Sequence, residues 1–160
     1  MPLYLTEAEV TELLSPEDAL EVVEGCFRRL AAGVIENVPR QRTRFEEGFL
    51  AVMWAVDREL ALAGLKSYAA GREGAHFVVL LFETGSTEPV AVMEADKLGQ
   101  LRTGAASAVA ARLLAKEGAA TLGVIGCGWQ AASQIACIRS AVPSIERVVV
   151  YCRDERRRAK

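Results

Sequence analysis

The chain has 160 residues, 51% of them hydrophobic and 25% charged, with a formal net charge of -2. That is enough material for one good core or two small ones, and the charge balance excludes a broad electrostatic attraction to nucleic acid. The positive run Arg153, Arg156, Arg157, Arg158 and Lys160 reads as a solvated helix start or a severed end. Four cysteines, at positions 26, 127, 137 and 152, lack Cys-x-x-Cys spacing, and His76 is the only histidine. Neither a zinc site nor a disulfide framework is therefore expected. No signal-type start and no apolar run of membrane-spanning length is read, so the expectation is a cytoplasmic protein with no membrane and no nucleic-acid partner.

Two helix starts open the chain. Thr6 with Glu9 three residues on makes a capping-box pattern, and Ser15-Pro16-Glu17-Asp18 supplies a cap, a first-turn proline and acids at the positive end of the dipole. In the second helix Leu20, Val23, Cys26, Phe27 and Leu30 recur at helical spacing, and Gly33 sits where a left-handed C-cap belongs. From Arg40 to Glu94 short apolar runs alternate with turn chemistry: Phe49–Val56, Leu60–Tyr68, Phe77–Glu83 and Pro89–Met93, with Gly71-Arg-Glu-Gly74 and Gly85-Ser-Thr between them. These predict a mainly antiparallel sheet. The unbroken Phe77–Phe82 run predicts a strand buried on both faces.

Glu94 to Ala115 predicts a helix whose centre is almost all Gly, Ala and Ser, so that backbones can approach closely. Arg102-Thr103-Gly104 is read as its head, where a guanidinium and free N–H groups meet an anion. A domain boundary is placed within Lys116–Ala120. Thr121–Ile125 then reads as a buried strand opening into Gly-x-Gly-x-x-Ala. Gly126 makes the tight turn, Gly128 lets backbone approach a pyrophosphate, and Ala131 lets the helix pack close to the strand. The following helix presents its N-terminal N–H groups to the anion. A second strand, Arg147–Cys152, is followed by only eight residues, of which Asp154–Lys160 resembles a helix just begun. A doubly wound domain needs more strands than this, so the sequence is expected to be a fragment of a longer protein.

Lys66 interrupts an otherwise apolar strand-like segment, Ala61–Tyr68. Arg40, Arg42 and Arg44 precede a strand of the same sheet, and Arg102 opens the small-residue helix. Cations converging on one pocket suit a carboxylate substrate, which arginine grips with paired hydrogen bonds. Lysine beside such a cluster has its charged form disfavoured and can move a proton near neutral pH.

Pro39-Arg40, Gly64-Leu-Lys-Ser67, the run from Glu94 through Arg102-Thr-Gly-Ala-Ala-Ser107 to Ala108, and Leu122-Gly-Val-Ile-Gly-Cys-Gly-Trp-Gln-Ala131 occur in the order and spacing of the ornithine cyclodeaminase/mu-crystallin family, whose N-terminal half the chain resembles from about Thr6 onward. The resemblance implies an α/β architecture: an α+β substrate-binding and dimerisation domain over residues 1–117, then the first β-α-β of a Rossmann NAD(P)-binding domain over 118–160. It implies that Arg40, or Arg42 two residues along, grips the substrate carboxylate. Lys66 stands as the active-site lysine, and Arg102 beside both substrate and cofactor with Thr103 next to it. Gly126, Gly128, Gln130 and Ala131 form the pyrophosphate turn. Met53-Trp54-Ala55 stands where the family often has Met-Pro-Ala, so the pocket wall is expected to differ.

An NAD-preferring site places an acid at the end of the second strand, whereas this chain has Tyr151-Cys152-Arg153 before Asp154. Arg153 is read as a partner for a 2′-phosphate, and the cofactor expectation is NAD(P), leaning to NADP(H). The implied activity is hydride transfer on a small amino or imino acid, by deamination, dehydrogenation or imine reduction, in a cytoplasmic homodimer. The alternative is a non-catalytic binder of NADPH and a small ligand, as resemblance to mu-crystallin allows.

Overall fold

The computed structural model describes residues 1–154. Arg156, Arg157, Arg158 and Lys160 of the basic run, and all but the first residue of the helix expected from Asp154, lie outside them. The chain forms two compact units, one made of Met1–Leu13 and Cys26–Lys97, the other of Leu14–Gly25 and Leu98 onward. Two of the three divisions fall inside helices and the third between two helices, whereas the functional boundary expected from sequence lies at 117–118.

The first unit contains β1 (Leu3–Leu5), α1 (Glu7–Leu13), the second part of α2 (Pro16–Ala31), β2 (Ile35–Phe45), β3 (Gly48–Asp57), β4 (Leu62–Gly71), β5 (Gly74–Glu83) and β6 (Pro89–Glu94). The strands form one sheet in the order β1-β6-β5-β4-β3-β2. All neighbours are antiparallel except β1, which runs parallel to β6. Sequence periodicity marks β3 to β6 but not β1 or β2. β2 is a polar edge strand whose register with β3 shifts between Val38 and Gln41, around Pro39. Proline cannot donate to a ladder, so an edge and a bulge are where a strand tolerates it.

Local chemistry explains the boundaries. Thr6 and Glu9 exchange hydrogen bonds, Thr6 N–H to Glu9 at 2.8 Å and Glu9 N–H to the Thr6 hydroxyl at 3.4 Å, which starts α1 as the capping box predicts. Gly33, at φ +73°, closes α2 with its N–H donating to Leu30 carbonyl, while Val34 N–H reaches back to Arg29. After β3, Asp57 Oδ1 accepts the N–H groups of Glu59 and Leu60 and Oδ2 accepts Arg29 Nε at 2.7 Å. Burial pushes the Asp57 carboxyl up. The bonds from Arg29, Leu60 and Glu59 outweigh it and hold the group below the ordinary aspartate value.

Side chains alternate across this sheet. Register puts Leu50, Val52 and Trp54 on one face with Leu65, Val78, Leu80 and Val92, and puts Phe49, Ala51 and Met53 on the other with Lys66, Tyr68, Phe77 and Val79. The first face is apolar and half-open: Leu50, Trp54 and Val78 are 44%, 42% and 42% exposed. This corrects the expectation that Phe77–Phe82 is buried on both faces. β5 is central in its hydrogen bonding, yet alternate residues of its run join an accessible apolar surface.

The second unit holds the N-terminal part of α2, most of α3 (Asp96–Leu114), β7 (Thr121–Ile125), α4 (Trp129–Ala141) and β8 (Arg147–Tyr151). Ser15 caps α2 through Asp18 N–H at 3.1 Å, with Pro16 first in the helix. A core of Ala19, Leu20, Leu101, Ala105, Ala108, Val109, Cys137 and Ala141 joins α2, α3 and α4. The small residues serve contact. A Cβ on Gly104 would lie 2.5 Å from Ser133 carbonyl oxygen and 3.1 Å from Cys137 Sγ. Gln100 is buried and donates from Nε2 to Trp129 carbonyl, tying α3 to the start of α4.

Two expectations change here. α3 begins at Asp96, six residues before Arg102, so Arg102-Thr103-Gly104 is not its head. The N–H groups of Asp96 and Lys97 are taken by the Glu7 carboxylate at 3.0 and 2.6 Å, and the Thr103 hydroxyl donates to Gly99 carbonyl within the helix. β7 pairs in parallel with β8 as expected, but it is not buried. Thr121, Gly123 and Ile125 share an exposed face with Arg147, Val149 and Tyr151, and Ile125 is 91% exposed. A two-stranded ribbon has only one face for α4 to shield. No helix of the described residues is long and apolar enough to cross a membrane.

Candidate functional site

In the first unit, sheet register gathers the expected cations around a platform of rings. Lys66 lies opposite Met53 and Val79, while Tyr68, two residues along the same face, lies opposite Ala51 and Phe77. Tyr68 stacks on Phe77 at 4.8 Å between centroids and meets the edge of Phe49 at 5.9 Å. Each cation rests on this row. Lys66 Nζ stands 4.5 Å from the Phe77 centroid, and the Arg42 guanidinium stands 4.3 Å from that of Phe49. Arg40 Nη1 donates to the Tyr68 hydroxyl at 2.9 Å. Cation–π contacts of this kind hold long side chains in place. The unit therefore presents fixed positive charge over an apolar floor, an arrangement that holds a carboxylate at one end and packs carbon at the other.

Sequence reasoning identified Arg40, Arg42 and Lys66 but missed Phe49, Tyr68 and Phe77. The signal was present: Lys66 and Tyr68 are two apart in a strand, so they share a face. Arg40 and Arg42 both reach the platform, and the geometry does not choose between them.

In the second unit, Gly126 turns the chain after β7 at φ +107°, a conformation side-chain-bearing residues avoid. Its N–H donates to Tyr151 carbonyl at 2.7 Å, fastening the turn to β8. Gly128 is the N-cap of α4 with extended backbone and no side-chain cap, so the helix start is left open toward solvent. A Cβ at Gly128 would meet nothing within 4 Å. Gln130 and Ala131 occupy the first turn of α4, where Gln130 accepts the Ser133 hydroxyl at its carbonyl. A cleft of about 650 Å³ runs past Gly126, Cys127, Gly128, Cys152, Arg153 and Asp154. Arg102, on α3, lines a different and largely apolar cavity with Leu98, Leu101 and Val22.

Cys127 and Cys152 are joined by a disulfide, with Cα atoms 5.7 Å apart. This corrects the expectation that no disulfide forms. Spacing along the chain carries no sign of the pair, because parallel pairing of β7 with β8 makes neighbours of residues 25 apart.

Glycine turn, open helix start and empty space beside Gly128 fit a dinucleotide's pyrophosphate, and the cleft runs on to the end of β8, where an adenosine ribose is held in such folds. Residues 2–160 match the ornithine cyclodeaminase/mu-crystallin family. The chain belongs to that family. Alanine dehydrogenase of Archaeoglobus fulgidus is 38% identical over 144 residues, covering 86% of this chain and 44% of the relative. Among solved structures, iminosuccinate reductase of Paracoccus denitrificans in complex with NAD+ superposes with TM-score 0.92 at 28% identity, covering 99% of this chain and 52% of that one. An archaeal alanine dehydrogenase dimer with bound NAD gives 0.91 at 33%, covering 98% and 50%. The chain thus spans about half the length of the family members it matches, and its α/β fold is theirs.

Proposed function

We propose that this family member serves an NAD(P)-dependent enzyme acting on a small amino or imino acid by hydride transfer at the carbon bearing nitrogen. The observation that carries the reading is the row of Phe49, Tyr68 and Phe77 holding Arg42, Arg40 and Lys66 on one face of the sheet. Arg40, with Arg42 beside it, grips the substrate carboxylate, and Lys66 moves a proton at the substrate nitrogen. Arg102 and Thr103 serve substrate and cofactor. A nicotinamide, when bound, supplies or accepts the hydride. Gly126, Gly128, Gln130 and Ala131 hold its pyrophosphate, and Arg153 meets a 2′-phosphate, which makes NADP(H) the preferred form. Residues 1–117 act as the substrate and dimerisation domain and 118–160 begin the Rossmann domain, in a cytoplasmic homodimer. The family relatives support the substrate class through their amino- and imino-acid names, a nicotinamide cofactor through their NAD complexes, and the homodimer through the archaeal alanine dehydrogenase dimer.

The test is Lys66→Ala in the full-length protein, assayed on a panel of amino and imino acids with NADPH and NADH, alongside cofactor titration. Turnover is expected to fall by roughly 100-fold or more with cofactor affinity unchanged and NADPH bound more tightly than NADH. Cofactor binding without turnover on any substrate of the panel in the unaltered protein would instead make it a mu-crystallin-like binder.

A further inference from the structure

We propose that Cys127 and Cys152 are an oxidative modification site whose disulfide pins the phosphate turn to the end of β8 inside the dinucleotide cleft and so lowers dinucleotide affinity; this rests on the dinucleotide reading above. Two observations carry it. Cys127 lies between the two glycines of the turn and Cys152 directly follows β8, so the bond ties together the two lips of the cleft, both of which line it. Both residues are partly exposed, so a small oxidant or reductant can reach them, whereas of the other two described cysteines Cys137 is buried. From these it follows, with the adenosine ribose placed between phosphate turn and strand end as in such folds, that the bonded sulfurs border the ribose and fix the spacing of the two segments that must hold it.

The chemistry balances with a hydroperoxide as oxidant. In the reduced protein Cys127, next to the start of α4, reacts as its thiolate. It attacks the peroxide, the O–O bond breaks, and a sulfenic acid and one water or alcohol form. The Cys152 thiolate then attacks that sulfur, the S–O bond breaks and water leaves, so two thiols lose two electrons and two protons to the peroxide. A dithiol reverses it by exchange. In a reducing cytoplasm a disulfide of this kind is transient and responsive rather than a permanent staple.

The experiment uses the full-length protein, reduced or treated with hydrogen peroxide, with free thiols counted, intact mass measured, and NADPH and NADH binding titrated. Oxidation is expected to remove two thiols and two mass units, to weaken dinucleotide binding by roughly tenfold or more, and to be reversed by dithiothreitol. In Cys152→Ser the ratio of oxidised to reduced affinity is expected to return to one. Equal affinity of the two forms with the Cys127–Cys152 bond verified would overturn the switch and leave the dinucleotide site standing. Failure of the pair to oxidise would overturn it too, and absence of binding even in the reduced form would remove both readings.

Discussion

Tyr68 is the residue on which the cationic platform turns. Its ring bridges Phe49 and Phe77, and its hydroxyl is the acceptor that orients Arg40. Tyr68→Phe keeps the stacking and deletes only that acceptor. On the proposed role of Arg40, KM for the carboxylate substrate is expected to rise about 5- to 10-fold, matching the net worth of one ordinary hydrogen bond, about 1 kcal/mol, with kcat changed far less. Steady-state kinetics decide it, and an unchanged KM would remove Tyr68 as a positioning residue. Lys66 was legible in the sequence because a cation inside an apolar strand stands out, and Arg40 and Arg42 through the arginine run before β3 and the family resemblance. The rings were not, since aromatic residues in strands are ordinary strand formers and only register shows that three of them form one row.

Elements here are set by local rules and adjusted by their neighbours. Capping at Thr6 and Ser15 and the Gly33 C-cap needed nothing beyond a few consecutive residues, and each is found where those residues place it. The head of α3 was misplaced because its cap is Glu7, 89 residues away from Asp96, and no window along the chain contains both. Asp57 makes an element-scale prediction. Its folded value is depressed, so its stabilising contribution is complete above the unfolded aspartate value and is lost as pH falls through the folded one. Urea midpoints between about pH 5 and about pH 3 should therefore fall less in Asp57→Asn than in the unaltered protein; parallel losses would rule the contribution out. Glu9 and Asp18, held low by Thr6 and Ser15, titrate the same way, so part of the loss persists. Gly104→Ala decides between two opposing effects. Alanine favours a helix by about 1 kcal/mol over glycine, but its Cβ would strike Ser133 carbonyl oxygen at 2.5 Å, and overpacking costs about 1–3 kcal/mol. Backbone cannot yield as a flexible side chain does, so the variant is expected to unfold at lower urea; a higher midpoint would show that α3 and α4 separate at little cost.

For the molecule as a whole, the half-open apolar face carrying Leu50, Trp54 and Val78 asks for a cover, since contiguous exposed apolar surface of this kind marks interaction sites. With the proposed homodimer, Trp54→Arg is expected to convert the full-length protein from dimer to monomer, or to weaken the dimer by roughly tenfold or more, read by light scattering across a concentration series. A dimer of unchanged stability would place the interface elsewhere. Trp54 is also where the sequence departs from the family's usual Met-Pro-Ala run. On β3 it points to the face opposite Lys66 and its partner Met53, so that departure alters the apolar face and not the cationic platform.

By itself the sequence determined the features that depend on residues a turn or two apart: the starts of α1 and α2, the glycine turn before α4, the alternating strands β3 to β6, the small-residue helix, and a family signature spread along most of the chain. These follow from propensity, capping and periodicity, which act locally. Tertiary structure alone decided that β1 and β2 complete the sheet, that Arg40 meets Tyr68 across 28 residues, and that Cys127 meets Cys152 across 25. Such neighbours are made by strand pairing and register, and pairing is a property of the folded chain that no short stretch of it contains.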